Sequence, residues 1–140
     1  MTTTAIFWPM IVQAFLTFAI YVLMSRRRLE GVRLGKVTPA EYKVPSVEPE
    51  YSATAVRNLS NQFELPVLFF VVCLSLQMTS AVNYVVLLLA WLFVVSRIAH
   101  AWIHVTSNKL RLRRPLFIVG FFVCILLWLW LAIHLSIGSV

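Results

Sequence analysis

The apolar positions of this chain fall into long runs and not into the alternation of a half-buried strand. The first run, about 20 residues over 5–24, suffices to cross ~30 Å of hydrocarbon as a helix. A second helix is predicted over 54–78. Its apolar part after Glu64 is too short to span alone, so it must take in the polar-faced turns from about Thr54 onward. A third is predicted over 82–105, apolar at its start and polar on one face at its end. A fourth runs over 115–137, with Pro115 suited to the first helical position, where the missing amide proton costs nothing. The expected architecture is an all-α membrane protein, a single domain over 1–140 folded as an antiparallel bundle of four transmembrane helices.

The connections divide these runs. Residues 25–51 hold six Lys and Arg and the prolines Pro39, Pro45 and Pro49, which oppose one continuous helix through the second half. Thr38-Pro39-Ala40-Glu41 has the pattern of a short helical turn. Pro66 has no amide proton for the carbonyl of Gln62, so the second helix should bend there. The connection over 79–83 is short and makes its flanking helices antiparallel neighbours.

Composition supports a membrane protein. Of 140 residues, 61% are hydrophobic and 12% charged, against ~45–50% and ~25% in soluble domains, and mean hydropathy is +0.87. Net charge is +7. In a soluble chain that would suggest nucleic acid. Here ten of the twelve Lys and Arg lie in two connections, six in 25–51 and four in 106–114, with Arg57 and Arg97 near the same helix ends. The positive-inside rule then places both connections in the cytoplasm and both termini outside. The first run is an uncleaved anchor, since no basic segment precedes it and Arg26, Arg27 and Arg28 follow it. A bacterial inner membrane is expected rather than the endoplasmic reticulum, with membrane lipid and no nucleic acid among the partners.

Chemistry concentrates on two helix faces. Arg57, Asn61 and Glu64 are spaced i, i+4, i+7, and Arg97, His100 and His104 are spaced i, i+3, i+7. A charged side chain facing lipid costs roughly 2.5–3.5 kcal/mol at mid-bilayer, so both faces should look inward. The proposed topology sets them at one depth, beside Arg111, Arg113 and Arg114. Two uses are open: an ion pair of Glu64 with Arg57 or Arg97 that fixes helix register, with Asn61 as an interhelical hydrogen-bond donor, or a pocket for an anionic, peptide-like ligand. His100 and His104 lack a third metal ligand, so no metal site is expected. Cys73 and Cys124 lie in apolar runs and read as buried thiols. Asn58-Leu59-Ser60 matches a glycosylation sequon but falls on a helix on the wrong side of the membrane.

Four short spans, a basic first connection, and R-x3-N-x2-E in "RNLSNQFELPVLFF" resemble the MAPEG family, membrane-associated proteins in eicosanoid and glutathione metabolism. "RIAHAWIH", with Arg97 as the family arginine, is the second matching stretch. The resemblance implies a homotrimer that binds glutathione as co-substrate in a cytoplasm-facing pocket between subunits. Arg57 and Arg97 would hold its carboxylates, and Asn61 and Glu64 its peptide and amino ends. His100 and His104 occupy positions where members carry Tyr or His that touch glutathione. Arg113 is the candidate catalytic residue, the arginine that stabilises the thiolate, with Arg111 and Arg114 as substitutes. The implied activity is a glutathione-dependent transferase or peroxidase acting on lipophilic small molecules. Leu65 and the helix-three histidines stand where some members place tyrosine, which leaves a non-catalytic lipid- or partner-binding member as the alternative. A proton-coupled transporter built on Glu64 fits poorly, because the cluster is cationic and near one interface.

Overall fold

Residues 4–43 and 47–138 are described by the computed structural model; Pro45, counted above among the helix-opposing prolines, lies outside them. Five α-helices form four spans: α1 (Phe7–Arg33), α2 (Glu50–Gln62), α3 (Leu65–Met78), α4 (Tyr84–Val105) and α5 (Leu110–Gly138). α2 and α3 together make the second span, and all four spans are long and apolar enough to cross a membrane. The chain is thus an integral, multi-pass membrane protein with a four-helix bundle fold. α1 packs on α2 and α4 on α5, and α3 closes against α5. The two basic connections share one end of the bundle, here called the basic end, and 79–83 lies at the other.

The helices outrun their apolar stretches. α1 continues nine residues past Met24, because Arg, Leu and Glu are good helix formers and nothing breaks the pattern before Gly35. There the chain turns left-handed, with φ +65° at Gly35. The Gly35 amide bonds Val32 O at 3.0 Å and the Lys36 amide bonds Gly31 O at 3.0 Å, which satisfies the last carbonyls of the helix. The turn at Pro39–Tyr42 forms as a 3-10 helix, with the Thr38 amide and hydroxyl both on Glu41 Oε1 at 2.8 Å. α4 starts at a cap, the Val86 amide donating to Asn83 Oδ1 at 2.9 Å.

Two expectations are corrected. Pro115 is not at the start of a helix: α5 begins five residues earlier at Leu110 and carries Pro115 inside its second turn. A proline there costs the helix one early rung, the bond to the Arg111 carbonyl. The second span does not merely bend at Pro66. It breaks at Phe63–Glu64, and Pro66 becomes the second residue of a new helix. With no amide at Pro66 to hold the Gln62 carbonyl, the preceding residues leave the helical path, and Glu64 adopts φ −97°, ψ −104°.

The core is divided by depth. Toward the end remote from the basic connections it is apolar, built by Phe69, Val72, Cys73, Phe93, Cys124 and Leu127, with Phe69 and Phe93 stacked at 4.2 Å. Trp130 Nε1 donates to Ala81 O at 3.1 Å there, and His134 Nε2 lies 3.1 Å from Thr79 O. Toward the basic end the buried side chains include the polar Asn58, Gln62, Arg97, His100 and His104. Large apolar side chains such as Phe15, Leu88 and Phe122 face outward, as in lipid contact.

Candidate functional site

The helix break organises the polar half. Gln62 is the last residue of α2, and its amide sits in a relay through the bundle. Gln13 Nε2 on α1 donates to Gln62 Oε1 at 2.9 Å. Gln62 Nε2 donates to Asn58 Oδ1 at 2.9 Å. Asn58 Nδ2 donates to Ala101 O on α4 at 3.2 Å. All three amides are buried. The interhelical amide is therefore Asn58 and not Asn61, whose backbone carbonyl instead accepts from Arg97 Nη2 at 3.2 Å. Asn58 is fully buried and thus removed from any sequon chemistry.

Arg97 lies behind this break, wholly buried. Its guanidinium stands over the Phe117 ring at 5.7 Å. Its Nε and Nη1 have no acceptor. Among the described residues the one ion pair is Arg28–Glu48, in the first connection. Glu64 pairs with neither Arg57 nor Arg97 at contact distance, so an ion pair does not fix helix register here. Buried donors left unmade cost about 1–3 kcal/mol each, so Arg97 keeps two N–H groups free to donate.

His100 and His104 follow Arg97 along the same face, both 3% exposed, with rings 5.8 Å apart and edge to face. His100 Nδ1 lies 3.1 Å from the backbone carbonyl of Arg113 on α5. A carbonyl only accepts, so Nδ1 carries the proton. Arg113 in turn donates from Nη1 to Asn108 Oδ1 at 2.6 Å.

Two adjoining cavities open on these groups. The larger, of about 520 Å³, is lined by Asn61, Glu64, His100 and Arg113, with Arg114, Phe117 and Ile118 on α5. The smaller, of about 260 Å³, is lined by Arg57, Ser60, Asn61, Glu64, His104 and Arg113. Asn61, Glu64 and Arg113 belong to both. The break at 63–64 has not scattered the first triplet: Arg57, Asn61 and Glu64 still face one space. Arg97 lines neither cavity and forms the floor behind them. Of the three connection arginines, Arg113 reaches both cavities, Arg114 one and Arg111 neither.

The MAPEG family model matches residues 6–133. The chain belongs to the MAPEG family. No curated protein and no solved structure matches it. The matched segment takes in both cavities of this MAPEG chain and every residue the sequence singled out. Sequence reasoning did not single out Gln13 or Asn108, and it read Gln62 for its backbone carbonyl and not for its side chain. A lone Gln inside the apolar run over 5–24 was the signal available for the first. Asn108 carries no signal, because its role comes from the turn between α4 and α5. Chemically, three cations and one carboxylate around a cleft with an apolar flank suit an anionic ligand with a cationic end and a lipophilic companion.

Proposed function

We propose that this MAPEG protein binds glutathione in the joined cavities and transfers its thiol to lipophilic electrophiles. The observation that carries the reading is the convergence of Arg57, Asn61, Glu64, His104 and Arg113 on one space from three separate helices. Arg57 takes a carboxylate, Glu64 the ammonium, and Asn61 the peptide groups. Arg97, sealed behind the cavities, adds positive charge to the site without touching the ligand. A cavity of about 520 Å³ falls in the ~300–1,000 Å³ range of small-ligand sites.

Arg113 stabilises the thiolate, since a guanidinium beside a thiol favours its ionised form. The thiol gives its proton to solvent, the sulfur attacks an electrophilic carbon, the S–C bond forms, and the leaving group departs with its electron pair. Phe117 and Ile118 on the cavity wall offer the electrophile an apolar seat continuous with the bilayer. Both basic connections face the cytoplasm, where glutathione is met, and the termini face outward. The chain assembles as a homotrimer, in which a neighbouring copy covers the open flank of the cavity.

The test is conjugation of a chloronitrobenzene by the protein purified in detergent. Wild type is expected to turn over, and Arg113→Ala to lower kcat roughly 10²-fold, the scale of losing one donor to a developing anion. Glutathione binding without any conjugation would reassign the protein to its non-catalytic alternative. Chemical cross-linking in the membrane is expected to stop at a trimer.

A further inference from the structure

The family resemblance makes His100 a glutathione contact, but its hydrogen bonding gives it another task. The Nδ1 proton is committed to the Arg113 carbonyl at 3.1 Å. The remaining nitrogen, Nε2, is itself buried and without a partner. The ring also packs on Phe117, one helical turn after Arg113, at 5.8 Å between centroids. His100 thus grips the first turns of α5 at two points on one face.

Those turns need holding. Pro115 offers no amide to the carbonyl of Arg111, so one rung of the early helix is missing. The Leu112 and Arg113 amides both fall back on Lys109 O, at 3.1 and 3.0 Å. The Arg113 guanidinium has a single tie, to Asn108, which is exposed and in the left-handed region at φ 49°. Among the described residues, the hydrogen bond that holds the Arg113 backbone carbonyl to another helix comes from His100 on α4.

We propose that His100 is a positioning residue: through its Nδ1–H bond to the Arg113 carbonyl it sets the register of α5 on α4 and aims the Arg113 guanidinium into the cavity. This task is separate from its place on the wall of the larger cavity and is exerted through Arg113. This rests on the glutathione reading for its catalytic consequence, though not for the contact itself.

Two substitutions separate the ring nitrogens. In His100→Asn the amide nitrogen stands near the place of Nδ1 and keeps the donor. In His100→Gln the amide reaches toward the place of Nε2 and loses it. With glutathione as the probe, bound thiolate is read by ultraviolet absorbance and affinity by calorimetry. His100→Asn is expected to keep the wild-type thiolate fraction. His100→Gln is expected to lower that fraction and kcat roughly tenfold to a hundredfold, the scale of a displaced supporting contact, with Kd changed less than about threefold. The opposite ranking, or equal losses of affinity in both variants with the thiolate fraction intact, would make His100 a ligand contact alone and overturn the proposal.

A ligand-free arm keeps the two readings apart. In nitrogen-labelled protein, the Arg113 side-chain resonance is expected to match wild type in His100→Asn and to shift in His100→Gln. If wild type fails to bind glutathione, this arm alone decides: a shift in His100→Gln only supports the positioning role, and an unchanged resonance in both variants overturns it.

Discussion

Gly120 is where α5 comes closest to the polar face of α4. A Cβ built there would stand 2.9 Å from Ser96 Oγ and 3.6 Å from Arg97 Cδ. The Ser96 hydroxyl is itself held on Phe93 O at 2.6 Å, so it does not yield freely. Gly120→Ala is therefore expected to destabilise the protein by about 1–3 kcal/mol, as overpacking does. Adding Ser96→Ala should recover most of that loss, because the two positions share one contact and cannot act additively. Thermal unfolding in detergent measures both, and an unaffected Gly120→Ala would mean that the helices are not this close. At this scale the site was largely legible in advance. Arg57, Asn61, Glu64, Arg97, His100 and His104 stood out because each is costly beside apolar spans and the helical spacings grouped them, while Arg113 was named through the family resemblance. What could not be read was the division of labour among them. That Arg97 would be sealed behind the cavity, and that His100 would be tied to a backbone carbonyl, depend on how closely α5 approaches α4. The glycine that permits that approach is one of four and looks like any other.

Among the elements, hydropathy located the spans but not the helix ends. It reports where a segment meets hydrocarbon, and the Arg-rich stretches 26–33 and 110–114 are helical without being apolar. Pro66 was legible as a disturbance, yet the break fell two to three residues ahead of it, where the Gln62 carbonyl loses its partner. The Gln13–Gln62–Asn58 relay joins α1, the broken end of α2 and α4 at this point. Gln13→Leu is expected to cost about 0.6–1.7 kcal/mol, the range for interhelical hydrogen bonds in membranes. Unfolding of the variant beside wild type checks this, and no loss would show the relay to be incidental. The first connection carries its own pH dependence. Glu48 accepts from Arg28 at 3.0 and 2.6 Å and from Ser52 at 2.6 Å. Burial opposes its charge, but the hydrogen bonds from Arg28 and Ser52 and the guanidinium charge outweigh burial, so the carboxyl sits below the usual range. A lowered folded-state value means that the contact stabilises above the ordinary glutamate value of about 4.3 and is lost as pH falls below it. Protease resistance around Glu48 should drop on acidification through that region in wild type and stay flat in Glu48→Gln. Parallel curves for the two proteins would contradict the assignment.

Across the whole molecule the bundle has two ends of different character. One is an apolar core of stacked aromatics and buried thiols, suited to stability. The other is a polar core whose donors are incompletely used and whose helices part to leave two cavities. The segment matched to the MAPEG family, residues 6–133, covers both ends. The direct check is calorimetric titration of reduced glutathione into the purified wild-type protein and into Glu64→Gln. Wild type is expected to bind saturably, with Kd between roughly 1 µM and 1 mM, the span of common substrate constants. Glu64→Gln should bind roughly tenfold or more weakly, for want of a charged acceptor for the ammonium, with the melting temperature kept. No saturable heat from folded wild-type protein, or equal affinity in the two, would contradict a glutathione site at the meeting of α2, α4 and α5.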